Sequence, residues 1–143
     1  MLSTTSKAFF TAFIAFISAE VVSGAAQLLI ADLFLQLQLA PATITACSGS
    51  LNPPNGCVTI PVVSDECTNF TGGLSFLNKE VSNVQVPDGF VCSFYEDFGC
   101  LGSQNAHNVV VLTGGNWDMA SVPGIASTQD FNDLTSSFSC SPV

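Results

Sequence analysis

Oxygen-bearing side chains crowd one short stretch near the end of the 143-residue chain. Asn132, Asp133, Thr135, Ser136 and Ser137 stand together in the segment Asn-Asp-Leu-Thr-Ser-Ser. Hard oxygen donors of this kind suit Ca²⁺. The same residues also build turns, because Asn and Asp side chains hydrogen-bond their own backbone, and hydroxyl-rich runs occur on exposed strands. The segment by itself leaves these readings open.

Other reactive groups are sparse. His107 is the only histidine, between Ala106 and Asn108, and no Gly-x-Ser-x-Gly segment offers it a nucleophile. Nucleophilic hydrolysis needs a base beside the attacking group. Glu96 and Asp97 are adjacent; neighbours on a strand point to opposite faces and cannot flank one bond. No catalytic residue is assigned, and the chain reads as non-enzymatic. Trp117-Asp118 after Gly114-Gly115 reads as a packed aromatic at a turn. Asn69-Phe70-Thr71 is a sequon, which marks Asn69 as a glycan acceptor on a surface loop.

Six cysteines, Cys47, Cys57, Cys67, Cys92, Cys100 and Cys140, are spread without a Cys-x-x-Cys pair. With one histidine available, a zinc site is disfavoured. Three disulfides formed in an oxidising compartment account for them better. The charge balance, 2 basic against 11 acidic residues and a net charge of −9, lacks the basic footprint that phosphates require. Nucleic acid and anionic membrane surfaces are therefore poor partners, and an extracellular protein or glycan is expected instead. With 48% hydrophobic residues the chain can bury a core.

Lys7 precedes an apolar run over residues 8–19, which small residues follow up to residue 26. This is the layout of a secretory signal peptide, assigned to residues 1–24, with cleavage between residues 19 and 26. Glu20 ends the run short of the ~20 apolar residues that span a bilayer, so no membrane insertion is expected after cleavage. Residues 25–46 read as a propeptide or N-terminal extension. Within them, Gln-Leu alternation near residues 35–39 fits a strand, a propeptide or an amphipathic helix equally.

Residues 47–143 form the expected domain. Turn clusters at Pro53-Pro54-Asn55-Gly56, Thr71-Gly72-Gly73, Pro87-Asp88-Gly89, Gly114-Gly115-Asn116 and Pro123-Gly124 separate β-rich runs. The runs cover residues 58–63, 81–86, 90–95, 108–113 and 135–140, a spacing that predicts an all-β sandwich or barrel. Phe90, Cys92 and Phe94 share one strand face, and Leu134, Ser136, Phe138 and Cys140 share another. Both cysteines thus lie beside phenylalanines on inward faces, which predicts a Cys92–Cys140 disulfide. Closing that loop of about 50 residues stabilises by roughly 4 kcal/mol in the chain-entropy treatment.

Tyr95, four spacers, Cys100, one spacer and Gly102 resemble, together with Asn-Asp-Leu-Thr-Ser-Ser, a Greek-key motif of the βγ-crystallin superfamily. The superfamily pattern is aromatic-x4-aromatic-x-Gly in a folded hairpin, with Asn/Asp-Asn/Asp-x-x-Ser/Thr-Ser leading into the fourth strand. A fainter copy lies upstream. Residues 78–83, Asn-Lys-Glu-Val-Ser-Asn, match at Asn78 and Ser82 but carry Lys79 and Asn83 in place of Asp133 and Ser137. Residues 65–72, Asp-Glu-Cys-Thr-Asn-Phe-Thr-Gly, place Phe70 and Gly72 in register with Asp65 in the aromatic position. The chain is similar to small secreted, cysteine-containing fungal proteins of this superfamily.

The resemblance implies a Greek-key sandwich of two motifs, the first degenerate, stapled by disulfides. It implies that Tyr95 covers the hairpin, that Gly102 supplies a special backbone conformation, and that Ser137 clasps the hairpin. Cys100, in place of the second aromatic, implies a disulfide substituting for ring packing. No cofactor is required. The implied Ca²⁺ ligands are Asp133 and Ser136, supported by Asn132 and the carbonyl of Glu96, with Lys79 opposing the ion. The implied function is a secreted protein of extracellular interaction or structural role that binds Ca²⁺ weakly. The alternative is a secreted toxin or effector of killer-toxin-like fold, acting on a protein or glycan receptor.

Overall fold

A computed structural model describes residues 41–143; the leader assigned to residues 1–24 and most of the N-terminal extension lie outside the described residues. Eight strands follow in order: β1 (Thr43–Cys47), β2 (Cys57–Pro61), β3 (Cys67–Asn69), β4 (Asn83–Tyr95), β5 (Val109–Asp118), β6 (Val122–Pro123), β7 (Thr128–Gln129) and β8 (Ser137–Pro142). Short 3₁₀ turns lie at Gly72–Leu77 and Met119–Ser121. Among the described residues no helix is long and apolar enough to cross a membrane.

β4 organises the domain because it serves two halves. Its first part pairs with β1, and Thr45 faces Gln85. Its second part pairs with β8, and Phe94 faces Phe138. β5 follows β4 through both parts, with a register break between Val86 and Val91. One half thus runs β2, β1, the start of β4 and the end of β5. The other runs β3, β8, the end of β4 and the start of β5. The runs expected separately at 81–86 and 90–95 are one continuous strand, bent at Pro87-Asp88-Gly89 rather than ended there. Gly114 permits the bend, since a Cβ on it would stand 3.0 Å from Asp88 Cα.

Alternation along these strands fills one core. Ile44 and Ala46 of β1, Val84 and Val86 of β4, and Leu112 of β5 are buried with Phe94, Phe138, Phe70 and Phe131. Phe138 sits between Phe70 and Phe94, with ring centroids 5.8 and 5.9 Å away, the offset separation aromatic pairs favour. The folded unit spans Pro41–Val143. It therefore begins ahead of the boundary drawn at Cys47, because β1 buries Ile44 and Ala46 in the core.

All six cysteines are paired, as Cys47–Cys57, Cys67–Cys100 and Cys92–Cys140. Cys92 and Cys140 face each other directly across β4 and β8, and Cys47 faces Cys57 across β1 and β2. Three disulfides suit an oxidising environment.

Candidate functional site: two equivalent loops

The halves repeat each other, and backbone hydrogen bonds give the register. Ser136 N donates to Tyr95 O at 2.8 Å, as Ser82 N donates to Cys47 O at 2.9 Å. Phe70 N donates to Ser136 O, as Met119 N donates to Ser82 O, both at 2.9 Å. Lys79 N donates to Thr135 O at 2.9 Å, as Asp133 N donates to Val81 O at 3.2 Å. Ser136 therefore answers to Ser82, Asp133 to Lys79, and Tyr95 to Cys47.

This register moves the first hairpin. The segment 65–72, expected to be the degenerate hairpin, instead carries β3, which pairs with β8. The hairpin equivalent to 95–102 is the connection between β1 and β2, which holds no aromatic residue and is closed by Cys47–Cys57. The disulfide does there what a covering ring does in the second hairpin.

In the second hairpin, Ser137 is fully buried. Its Oγ donates to Asp97 O at 2.6 Å and accepts from Cys100 N at 3.0 Å. Asn69, on β3, adds a third tie: its Oδ1 accepts from Gly99 N at 2.6 Å. The sequon residue is thus a half-buried strand residue rather than part of an open loop. Sequence reasoning missed its contact with the hairpin because Gly99 lies 30 residues away.

Cys100 has a φ of 54° and Gly99 one of 77°, so these residues, not Gly102, take the left-handed conformation. A Cβ on Gly102 would make only ordinary contact, 3.9 Å from Tyr95 Cε1. Cys67–Cys100 then bolts the hairpin to β3.

Asp133, expected beside Ser136 as a ligand, meets a residue of the first half: its Oδ1 lies 3.5 Å from Ser82 Oγ, and Ser82 Oγ donates to Ser48 O at 3.2 Å. One hydroxyl proton stands between two acceptors from distant segments. Carboxylate, hydroxyl and carbonyl oxygens from three segments thus converge at Asp133, Ser82 and Ser48, a hard donor set that fits Ca²⁺. Ser48 in this arrangement answers to Glu96 in the other half.

In the other half the carbonyl that answers to Ser48 O, that of Glu96, meets an ammonium. Lys79 Nζ donates to Glu96 O at 2.6 Å and to Leu134 O at 2.9 Å. The Glu96 carboxylate is 3.7 Å away, but both side chains are 41% exposed, where an ion pair contributes little. The two carbonyl bonds carry the interaction, together about 2 kcal/mol once solvent competition is allowed for. The backbone N–H of Asn132, which precedes Asp133, donates to Asp130 Oδ1 at 3.0 Å.

Of the other singled-out residues, His107 is exposed, in the turn before β5. Trp117 is on β5 rather than at a turn, opposite Val84, and its Nε1 donates to Thr113 O at 2.8 Å. Asp118 caps the following 3₁₀ turn by accepting from Ala120 N. Glu96 and Asp97 lie beyond the end of β4, and their backbone carbonyls engage Lys79 and Ser137.

Two four-strand halves that exchange strands through β3 and the end of β5, with a clasped hairpin in one half, define a double Greek-key domain. The fold is that of the βγ-crystallin domain. It is similar to a structure from work on the evolution of the eye lens βγ-crystallin domain fold, with a TM-score of 0.53 at 17% identity, over 73% of this chain and 89% of that one. A βγ-crystallin domain from Flavobacterium johnsoniae gives a TM-score of 0.48 at 17% identity, over 69% and 93% of the two chains. The N-terminal domain of protein S gives 0.48 at 19% identity, over 71% and 98%. By sequence, no family model and no curated protein matches the chain.

Proposed function

We propose that this is a secreted, non-enzymatic protein that binds one Ca²⁺ weakly and serves an extracellular interaction or structural role. The observation that carries the calcium reading is the meeting of Asp133 Oδ1, Ser82 Oγ and Ser48 O. One carboxylate supplies the charge, and hydroxyl and carbonyl oxygens supply the rest. With so little charge the site belongs at the extracellular end of the affinity range, with Kd of about 10⁻⁴ to 10⁻³ M. Such a site fills where calcium is millimolar, which agrees with a chain stapled by three disulfides. The partner proposed is an extracellular protein or glycan, since the net charge of −9 opposes polyanions.

Calorimetric titration of the purified mature protein tests the reading. Uptake of one Ca²⁺ per chain, with Mg²⁺ a poor competitor, supports it. A flat calcium titration overturns it and leaves the Asn-Asp segment as a turn.

A further inference from the structure

Lys79 and Lys7 are the only lysines, and the chain has no arginine. Lys7 belongs to the expected leader, so apart from His107 the domain's single basic side chain is Lys79. Its position is therefore informative. The ammonium reaches two backbone carbonyls from residues 17 and 55 positions away in sequence. It joins the second hairpin, through Glu96 O, to the loop entering β8, through Leu134 O.

We infer that the Lys79 ammonium is a tethered occupant of a cation position between Glu96 O and Leu134 O, and that shortening this side chain opens a binding site for a small alkylammonium ion. Two carbonyl oxygens converging on one point present a negative potential that a positive donor group between them offsets. An ammonium has three N–H donors and no acceptor, so it can serve both oxygens and leave one donor for the Glu96 carboxylate at 3.7 Å. Lys79 holds a φ of 62°, uncommon for a residue other than glycine, and its own N–H is bonded to Thr135 O. A tethered cation keeps the hairpin joined to the loop at any concentration of free ions. The inference does not rest on calcium binding at Asp133, because the oxygens concerned are on the opposite half.

The test compares Lys79→Ala and Lys79→Met with the wild type by thermal melting in calcium-free buffer. Each variant is melted with and without propylammonium chloride, and with tetramethylammonium chloride at equal ionic strength as a cation that cannot donate. Lys79→Ala is expected to melt about 8–16 °C lower. Propylammonium should recover most of that loss, while tetramethylammonium should not. Wild-type stability in both variants would overturn the inference, as would a loss in Lys79→Ala that propylammonium leaves untouched. Should Lys79→Ala not fold, Lys79→Met, which keeps the stem and loses the charge, decides: a lowered melting temperature supports the tethered cation and an unchanged one refutes it. A wild type that ignores calcium, together with propylammonium rescue of Lys79→Ala, would sink the calcium reading alone.

Discussion

Lys79 and Asp133 are equivalent residues of the two Greek keys and carry opposite charges. Both take left-handed backbone, with φ of 62° and 57°. Each backbone N–H donates to the other key, Lys79 to Thr135 O and Asp133 to Val81 O. From the same backbone position one key extends an ammonium toward carbonyl oxygens, and the other extends a carboxylate toward a hydroxyl. One cation position is thus filled from within, and on the calcium proposal the other is left for a free ion.

Asp133→Gly removes the carboxylate at a φ of 57° that glycine adopts without strain. Stability in calcium-free buffer should change by less than about 1 kcal/mol. The calcium-dependent rise in melting temperature should vanish. At calcium a hundredfold above Kd that rise corresponds to about 2.7 kcal/mol in the wild type, which differential scanning calorimetry reads directly.

Lys79→Asp replaces the tethered ammonium with a ligand. In calcium-free buffer the introduced carboxylate faces Glu96 O and Leu134 O, so the variant should be less stable than the wild type by about 2 kcal/mol. Calcium should restore it, and titration should show two ions per chain in place of one. A stoichiometry that stays at one would refute the equivalence of the two positions.

Ser137→Ala should destabilise the protein equally with and without calcium. It leaves the Cys100 N–H and the Asp97 carbonyl without the partner they have at 3.0 and 2.6 Å. The expected cost is about 2–3 kcal/mol, the range for stranding buried groups. Amide hydrogen exchange should localise the loss to residues 97–100.

Limited reduction should open Cys67–Cys100 first. Both of its cysteines are partly exposed, whereas each other bridge contains at least one buried cysteine. Alkylation mapping should find Cys67 and Cys100 labelled before Cys92 and Cys140. Replacing Cys67 and Cys100 together by serine should lower stability by about 4 kcal/mol, the chain-entropy value for a separation of 33 residues.

Much of the second half could be read along the chain. The period-two alternation that put Cys92 beside Phe94 and Cys140 beside Phe138 is a local property, and it sufficed to pair those cysteines. Tyr95, Cys100, Gly102 and Asn-Asp-Leu-Thr-Ser-Ser lie close enough in sequence to announce a Greek key. The first half announced less. Its hairpin has a disulfide in place of rings, so the nearest match to the pattern falls at Asp65 and Phe70, which lie just outside the two ends of β3.

What only the tertiary structure decided is which oxygens meet. Asp133 and Ser136 are neighbours in sequence, yet Asp133 reaches Ser82, 51 residues away, and Lys79 reaches Leu134, 55 residues away. The exchange of β3 and the end of β5 between the halves brings each loop against its counterpart, so Lys79 meets carbonyls, and Asp133 a hydroxyl, of the other key. Residue types and spacing determined that hard oxygens, a clasping serine and paired cysteines would be present. Which of these groups meet depends on long-range strand pairing, which local pattern does not encode.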